Sequence, residues 1–257
     1  MKKYNNLLTI DLGNTTISYG WFLKSKIKAA GFIKNSNIPA LVKLIGKRGV
    51  SSGFNVIISS VVPKKTAILK KLLKANFKEI GIWSVGENVR LQVKMKYRRR
   101  ALGADRLVNI YGAHLRFKGP VLIIDYGTAI TFDYVSGNGV FEGGVIVPGI
   151  ETSWEALQER AALLPSLAQI KPAHQLAGTD TKSAMYSGLL NGFGALSDGL
   201  IERFKKTYGR KLTIIATGGS STLISKYMTG IDKVDPLHTL KSLNLIFQNV
   251  IARQRLR

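Results

Sequence analysis

The chain has 257 residues and carries 38 Lys and Arg against 15 Asp and Glu, which gives a formal net charge of +23. Its 45% hydrophobic residues, 26 Gly and 7 Pro are ordinary globular proportions, and they exclude a disordered tail, a collagen-like fibre and a charged linker. Because there are 0 Cys, the chain forms no disulfide, thiolate zinc site or cysteine nucleophile, which fits a reducing compartment. The length suits one large domain or two of moderate size.

We expect no membrane-spanning segment. Apolar runs such as Val121-Leu122-Ile123-Ile124 are far shorter than the roughly 20 residues that a helix needs to cross a bilayer. The first residues include the two lysines typical of a secretory signal, but Asp11 interrupts the apolar run that follows them. The sequence therefore predicts a cytoplasmic protein without membrane partners.

A strand-turn-strand pattern occurs twice along the chain. The predicted strands and turns are, in chain order, 6–10, Asp11-Leu12-Gly13-Asn14-Thr15, 16–22, and then 120–124, Asp125-Tyr126-Gly127-Thr128 and 129–135. The two acidic turns are 125 − 11 = 114 residues apart, which is the spacing of a domain. This spacing predicts a duplicated architecture with lobes of 1–118 and 119–257 that meet near Lys118-Gly119-Pro120.

The other predicted elements also place strands before helices in both halves. They are a strand over 55–63 with a helix over 65–74, a strand over 139–149, a long helix over 181–208, a strand over 212–216 with a helix over 221–228, and C-terminal helices over 240–257. Strands followed by helices in each half predict an α/β fold.

The acidic turns predict a phosphate site. Main-chain N–H groups of a glycine turn bind phosphate oxygens, while an adjacent carboxylate holds a cation. One Asp-x-Gly turn alone is more often an ordinary hairpin. Here Asp11 and Asp125 share the same context, and Gly218-Gly219 follows a third strand. We expect these strand ends to converge on one crevice that binds a nucleotide.

The run Gly103-Ala104-Asp105-Arg106 places a carboxylate next to a guanidinium. Asp105 is suited to accept the proton of an alcohol during phosphoryl transfer. Arg106 is suited to bind a substrate carboxylate through two hydrogen bonds. Taken alone, an adjacent Asp-Arg pair also fits a surface ion pair or a helix start.

Together these residues resemble the type III pantothenate kinases of the actin-like and sugar-kinase-like ATPase superfamily, over nearly the whole chain. The matching motifs, in chain order, are Ile10-Asp11-Leu12-Gly13-Asn14-Thr15, Ser59-Ser60-Val61-Val62-Pro63, Gly103-Ala104-Asp105-Arg106, Asp125-Tyr126-Gly127-Thr128-Ala129-Ile130-Thr131-Phe132-Asp133, Gly143-Gly144-Val145-Ile146-Val147-Pro148-Gly149, Leu164-Pro165, Thr181 ahead of Ser187-Gly188, and Thr217-Gly218-Gly219. The resemblance implies a duplicated ribonuclease H-like, actin-like ATPase fold with two similar lobes around a central cleft.

The resemblance also implies an activity: ATP-dependent phosphorylation of pantothenate to 4′-phosphopantothenate, the first step of coenzyme A biosynthesis, by a homodimer. Asp105 is then the proton acceptor, and Asp125 is the ligand of K⁺ or NH₄⁺. The implied pantothenate contacts are Tyr97, Gly103, Ala104, Asp105, Arg106 and Thr181. The expected contacts of ATP, which carries Mg²⁺ on its phosphates, are Asp11, Leu12, Gly13, Asn14, Thr15, Thr16, Ile17, Ser18 and Thr128, together with Gly218 and Gly219.

One loop departs from the family pattern. Tyr97 is followed by Arg98-Arg99-Arg100, where the family usually has an Asn-Pro or Asp-Pro pair, and the loop is one residue short. The proline that would fix φ is therefore missing. The pair of Asp105 and Arg106 is intact.

Two alternatives stay open at this point. The basic run Lys94-Met95-Lys96-Tyr97-Arg98-Arg99-Arg100 and the charge of +23 favour a nucleic-acid-binding or transcriptional accessory protein that keeps a kinase-like fold without the activity. The other alternative is a kinase for a different small alcohol. Asp11, Asp105 and Asp125 together favour a kinase over a binding protein, since carboxylates repel phosphates unless a cation lies between them.

Overall fold

The computed structural model describes residues 6–47, 53–161, 164–165, 169–173 and 175–251. Residues 1–5 and 252–257, which the predicted lobes and C-terminal helices include, lie outside the described residues. The chain divides into two compact units. The first contains Met1–Arg116 and Leu237–Arg257, and the second contains Phe117–Pro236.

The strands and helices follow one another in this order: β1 (Asn6–Leu12), β2 (Thr16–Leu23), β3 (Lys26–Lys34), α1 (Ile38–Gly46), β4 (Asn55–Ser60), α2 (Pro63–Asn76), β5 (Gly81–Ser84), β6 (Lys94–Met95), a 3₁₀ turn (Arg99–Ala101), α3 (Ala104–Arg116), β7 (Val121–Tyr126), β8 (Ala129–Val135), β9 (Val140–Pro148), α4 (Ile150–Arg160), α5 (Thr181–Tyr208), β10 (Thr213–Thr217), α6 (Ser221–Ile224), a 3₁₀ turn (Ser225–Tyr227), β11 (Lys233–Val234), α7 (His238–Ile246) and a π-helical turn (Phe247–Ile251).

The first unit contains a mixed sheet with the strand order β3-β2-β1-β4-β5. The neighbours β1, β2 and β3 are antiparallel, whereas β4 is parallel to β1 and to β5. Ile10 of β1 and Ile57 of β4 are fully buried. Both strands are almost continuously apolar because helices or other segments cover both faces of the sheet.

The second unit repeats this arrangement with the strand order β11-β10-β7-β8-β9. Here β7, β8 and β9 are antiparallel neighbours, and β10 is parallel to β7 and to β11. Each unit thus has an antiparallel three-strand meander extended by two parallel strands. This repetition confirms the predicted duplication and places each acidic turn at the same point of its own sheet.

The C-terminal helix α7 belongs to the first unit, whereas the sequence prediction included it in a second lobe of 119–257. Leu240 and Leu243 of α7 are buried in one cluster with Leu7 of β1. A Cβ atom at Gly112 of α3 would overlap Ser242, so the backbones of the two helices are in close contact. The apolar face of α7 completes the core on one side of the first sheet, which explains its position.

The longest described helix is α5, with 28 residues. It packs against the second sheet through residues such as Met185 and Leu190. None of the helices in the described part of the chain combines the length and the apolar content needed to span a bilayer.

Candidate functional site

The first acidic turn connects β1 to β2. Asp11 is half-buried near the end of β1, while Asn14 and Thr15 in the turn are exposed. The Gly13 N–H donates to the Thr16 carbonyl over 2.9 Å and closes the turn. The predicted ATP contacts of this segment therefore include an exposed turn, and the Asp11 carboxylate lies on the strand that leads into it.

Two predicted ATP contacts of the same hairpin lie in the core. Leu12 and Ile17 are both 0% exposed, so these two residues present no accessible surface to a ligand. Ser18 is half-buried and pairs with Asp11 across the hairpin. Its hydroxyl lies on the same face of the sheet as the carboxylate, because directly paired residues share a face.

Ser59 lies beside Asp11 on the neighbouring parallel strand β4. Its side chain is 0% exposed, and among the described residues its Oγ atom has no hydrogen-bond partner. Buried hydroxyls are nearly always hydrogen-bonded, since leaving one unpaired costs free energy. The Ser59 hydroxyl is therefore a buried polar group without a partner in the described structure, next to Asp11 at the end of β1.

The second acidic turn, between β7 and β8, has the same plan. Asp125 is half-buried near the end of β7, and Thr128 in the turn is exposed. Thr217 of β10 lies beside Asp125 in parallel register. Its side chain is 0% exposed, and its Oγ1 atom finds no hydrogen-bond partner within the described ranges. Each unit thus places an unpartnered buried hydroxyl beside the carboxylate of its acidic turn.

Gly218 lies directly against Asp125. Its φ of +90° is one that L side chains rarely adopt, and a Cβ atom would overlap both the Asp125 carboxylate and the Tyr126 carbonyl. Gly219, in contrast, has open space around its Cβ position. Tyr126 points into the core, where burial raises the pKa of its hydroxyl to about 12 and keeps it neutral. The structure therefore brings Asp125, Thr128 and Gly218 together at one strand end.

The Gly-Ala-Asp-Arg run begins α3. Asp105 is half-buried in the first helical turn, and its Oδ1 atom accepts a hydrogen bond of 2.7 Å from the Arg106 main-chain N–H. A Cβ atom at Gly103 would lie 2.5 Å from this Oδ1 and 3.3 Å from Cγ1 of Val61. The absence of a side chain at Gly103 thus leaves room for the carboxylate, and the N-terminal end of the helix favours its negative charge.

Tyr97 lies against Arg106. The Arg106 guanidinium carbon is 5.5 Å from the centre of the Tyr97 ring, within the range of a cation–π interaction. Arg106 is only 8% exposed, while Arg98 and Arg100 of the departing loop are exposed. The loop that lacks the family's proline therefore still places its tyrosine beside the arginine of the motif.

Val61 connects the two predicted sites of the first unit. Its N–H donates to the Leu12 carbonyl over 3.3 Å, at the end of β1. Its side chain is the neighbour that a Cβ atom at Gly103 would meet at 3.3 Å. Val61 thus lies between the first acidic turn and Gly103, the residue that precedes α3 and its Asp105.

Thr181 is the first residue of α5 and is exposed. The preceding Asp180 caps the helix: its Oδ1 accepts hydrogen bonds from the N–H groups of Lys182 at 2.9 Å and Ser183 at 3.1 Å. The Ser183 hydrogen bonds, from main chain and side chain, lower the pKa of Asp180. A capping box thus fixes the position of Thr181 within the second unit.

Four residues at these turns had no role in the sequence interpretation: Asn35, Ser59, Lys65 and Thr217. Ser59 and Thr217 lie within recognised motifs, and their register with an Asp depends on strand pairing. Asn35 and Lys65 lie outside the acidic motif: Asn35 contacts the turn, and Lys65 contacts Asn35. The duplication offered the one sequence signal for Asn35. It follows β3 in the first half as Gly149 follows β9 in the second half.

In the described part of the chain, no three His, Asp or Glu side chains are close enough to hold a metal ion together. A preformed cage is not required for Mg²⁺ bound with a nucleotide. Mg²⁺ is commonly bound by one or two carboxylates together with substrate phosphates and water. Single carboxylates such as Asp11 and Asp125 suit that mode.

Comparison with protein families identifies relatives. A family model described as type III pantothenate kinase matches residues 7–203. The type III pantothenate kinase of Caulobacter vibrioides is 44% identical over 200 residues, covering 77% of this chain and 76% of that protein. That of Dehalococcoides mccartyi is 35% identical over 252 residues, covering 94% of this chain and 97% of that protein.

Solved structures share the fold at low sequence identity. A Baf family transcriptional activator from Campylobacter jejuni has a TM-score of 0.61 at 18% identity, covering 95% of this chain and 99% of that chain. The activator of the 2-hydroxyisocaproyl-CoA dehydratase from Clostridium difficile, with bound ADPNP, has a TM-score of 0.54 at 13% identity, covering 98% of each chain. The neighbours have the actin-like ATPase fold, and the chain has the same duplicated fold.

Proposed function

This chain belongs to the type III pantothenate kinase family, and we propose that it transfers the γ-phosphoryl group of ATP to pantothenate, forming 4′-phosphopantothenate for coenzyme A biosynthesis. The observation that carries the proposal is the arrangement of Asp105 and Arg106. The carboxylate lies in the first turn of α3, and the guanidinium of the following residue lies against Tyr97. A carboxylate suited to act as a base and a guanidinium suited to bind an anion thus occupy consecutive positions at the start of one helix.

Asp105 acts as the general base. The 4′-hydroxyl oxygen of pantothenate attacks the γ-phosphorus, and the hydroxyl proton passes to the Asp105 carboxylate. The bond between the γ-phosphorus and the bridging oxygen breaks, and ADP leaves with the bonding electrons. The space that Gly103 leaves beside Oδ1 supports this role, because a side chain at position 103 would lie 2.5 Å from that oxygen.

Arg106 binds the carboxylate of pantothenate. Its planar guanidinium suits a two-point hydrogen bond to a carboxylate, and the Tyr97 ring at 5.5 Å restricts the plane of that group. The proposed pantothenate contacts are Tyr97, Gly103, Ala104, Asp105, Arg106 and Thr181. The described contacts support the grouping of Tyr97 and Gly103 with the Asp-Arg pair.

ATP binds to the acidic turns. The family requires a nucleotide and a divalent metal, and Mg²⁺ supplies positive charge that offsets the charge of the phosphates. The proposed contacts are Asp11, Leu12, Gly13, Asn14, Thr15, Thr16, Ile17, Ser18, Thr128, Gly218 and Gly219. The exposure of residues 14–16 supports a role for their main-chain groups, whereas the complete burial of Leu12 and Ile17 gives no such support to those two contacts.

Asp125 holds a monovalent cation, K⁺ or NH₄⁺. The donor set fits such an ion, because Asp125 and Thr217 lie in register and the Thr217 Oγ1 atom lacks a hydrogen-bond partner among the described residues. A cation of this kind would lower the repulsion between the Asp125 carboxylate and the nucleotide phosphates.

We also propose that the protein acts as a homodimer in the cytoplasm. The dimer is the assembly that the family resemblance implies. A cytoplasmic location is supported by the lack of cysteine, since the chain gains nothing from an oxidising compartment.

A nucleic-acid-binding protein without kinase activity is the less favoured function. The charge of +23 supports contact with polyanions. The curated relatives, however, are pantothenate kinases at 34–44% identity. The similarity to the Baf family activator, at 18% identity, concerns the fold alone.

The test is a coupled assay of ADP release with ATP and pantothenate, with and without K⁺. The proposal predicts release that needs both substrates and increases with K⁺. ADP release that is independent of pantothenate would contradict it. Tight binding of duplex DNA that weakens steeply with salt, in a protein without kinase activity, would establish the less favoured function instead.

A further inference from the structure

The first acidic turn is held from behind by one side chain, Asn35, which follows β3. The Asn35 Nδ2 atom donates to the Gly13 carbonyl over 2.9 Å and also to the Asn14 carbonyl. The Asn35 main-chain N–H donates to the Thr15 carbonyl over 2.9 Å. Three successive carbonyls of the turn therefore accept hydrogen bonds from this single residue, which is only 7% exposed.

This pattern sets the direction of the turn's N–H groups. In a planar trans peptide the N–H points opposite to the C=O of the same peptide unit, and the described chain contains no cis peptide bond. The carbonyls of residues 13–15 face Asn35, so the N–H groups of residues 14–16 face the other side of the turn. Successive N–H groups that point to one side form a concave site for anions.

Lys65 in turn holds the Asn35 side chain. Its Nζ atom donates to the Asn35 Oδ1 atom over 2.6 Å. This contact fixes the orientation of the amide, because only Nδ2 is then directed at the turn. Lys65 is half-buried in the first turn of α2, whereas the adjacent Lys64 is exposed. The ammonium also adds a positive charge behind a turn whose proposed ligand is a phosphate.

The second unit holds its turn in a related way. Gly149, which follows β9, donates its N–H to the Thr128 carbonyl over 3.0 Å. The Thr152 hydroxyl donates to the same carbonyl over 2.7 Å. In each half, the main-chain N–H of the residue that follows the third strand of the meander thus donates to the last residue of the acidic turn. The side chain that adds to this contact differs: it is Asn35 in the first half and Thr152 in the second. An arrangement repeated in both halves points to a common requirement of the two turns.

We propose that Asn35 and Lys65 are positioning residues for the nucleotide: Lys65 orients the Asn35 amide, and the amide turns the N–H groups of residues 14–16 toward the phosphates of ATP. The inference rests on the proposed function, because it takes the first acidic turn as a phosphate site. It assigns to Asn35 and Lys65 no contact with pantothenate or with the reacting atoms. Their effect is therefore expected on nucleotide affinity and not on the affinity for the alcohol.

The test measures binding of a non-hydrolysable ATP analogue with Mg²⁺ to the full chain by calorimetry, without pantothenate. In Asn35→Asp the carboxylate keeps the shape of the amide but cannot donate to the carbonyls. We expect the affinity for the analogue to fall at least about fivefold, from the loss of two hydrogen bonds. Lys65→Met keeps an unbranched side chain, shortened by the terminal nitrogen, without its charge or donor, and we expect a loss of about threefold or more.

Two further variants separate a positioning role from a structural one. Lys65→Arg retains a donor and a charge and is expected to restore most of the affinity. Lys64→Met, which removes an exposed lysine from the adjacent position, is expected to leave it unchanged. In the kinase assay the KM for ATP should rise in Asn35→Asp and Lys65→Met, while the KM for pantothenate stays within about twofold of wild type.

Unchanged analogue affinity in a folded Asn35→Asp protein would overturn the inference. Equal losses for ATP and pantothenate, together with a lower melting temperature, would overturn it as well, since they indicate a merely structural role. If Asn35→Asp does not fold, Lys65→Met decides by the same criteria. Wild-type protein that binds the analogue but forms no 4′-phosphopantothenate would contradict the proposed function alone.

Discussion

Thr217 and Asp125 provide the sharpest residue-level test of the proposed cation site. Asp125→Asn removes the charge that holds the ion, so we expect stimulation by K⁺ to disappear. Thr217→Val keeps the shape but removes the Oγ1 atom that lacks a partner in the described structure. We expect this variant to need more K⁺ for half-maximal activity, as measured by titration of the assay with KCl at constant ionic strength.

Thr207→Val is the matched control, since the Thr207 hydroxyl is exposed on α5 and donates to the main chain of its own helix. Its K⁺ dependence should equal that of wild type. An unchanged K⁺ response in Asp125→Asn would place the cation elsewhere.

Gly218 allows a second residue-level test, on stability. Gly218→Ala introduces a side chain at a φ of +90° that also overlaps Asp125. We expect the free energy of unfolding to fall by about 1–3 kcal/mol, the usual cost of a strained main-chain conformation. Gly219→Ala has open space and is expected to change the free energy by less. Urea denaturation of both variants measures the difference, and equal effects would contradict the assigned geometry.

The candidate site residues follow from local sequence patterns, whereas the residues that support them do not. The Asp-x-Gly turns and the Gly103-Ala104-Asp105-Arg106 run are local patterns with a known chemical use. The hydroxyls of Ser59 and Thr217 acquire a role only because strand pairing places them beside Asp11 and Asp125. Such register is set by long-range pairing and is therefore invisible in local patterns.

Among the elements, α5 gives a prediction about pH. Hydrogen bonds from Ser183 and Lys182 lower the pKa of Asp180 in the folded chain. An ionised Asp180 therefore stabilises the fold above its unfolded pKa of about 4, and this contribution is lost as the pH falls through the lower folded pKa. Asp180→Ala should lower the melting temperature at pH 7, and the difference from wild type should shrink in acid.

Asp180→Asn is the matched variant, because Asn caps a helix as well as Asp but has no charge to titrate. We expect it to melt close to wild type at pH 7. Melting curves followed by circular dichroism between pH 7 and pH 3 provide the measurement. A difference between Asp180→Ala and wild type that stays constant over this range would rule out a titrating cap.

The elements with strong local signals were predicted well. The long helix predicted over 181–208 coincides with α5, whose capping box and following Gly209 define its ends. Both acidic hairpins are confirmed. The helix predicted over 221–228 is instead a short α6 followed by a 3₁₀ turn.

Other elements were not predicted. The strand β3 and the helix α1 are nine residues each, and their apolar residues are interrupted by lysine or glycine. Packing in the first unit stabilises both of them. Leu41 of α1 is completely buried in the same cluster as Ile10 of β1. Short segments of this kind depend on tertiary contacts more than on local propensity.

At the scale of the whole molecule, the duplication was predictable and the position of the C-terminal segment was not. Asp11 and Asp125 lie in similar motifs that are 125 − 11 = 114 residues apart, and this repetition indicates two related halves. The return of α7 to the first unit follows from its apolar face and from the close approach of Gly112 to Ser242. The apolar face is a local pattern, but its packing partners are not, because Leu7 and Gly112 are far from α7 in the sequence.

The central claim is that Asp105 deprotonates pantothenate while the acidic turns hold ATP. Mass spectrometry of the products, for wild type and Asp105→Asn side by side, tests it most directly. The account predicts 4′-phosphopantothenate from wild type, and a kcat about 10² to 10⁴ lower in a folded Asp105→Asn variant that still binds the ATP analogue. Formation of 4′-phosphopantothenate by Asp105→Asn at a rate within a few-fold of wild type would contradict it.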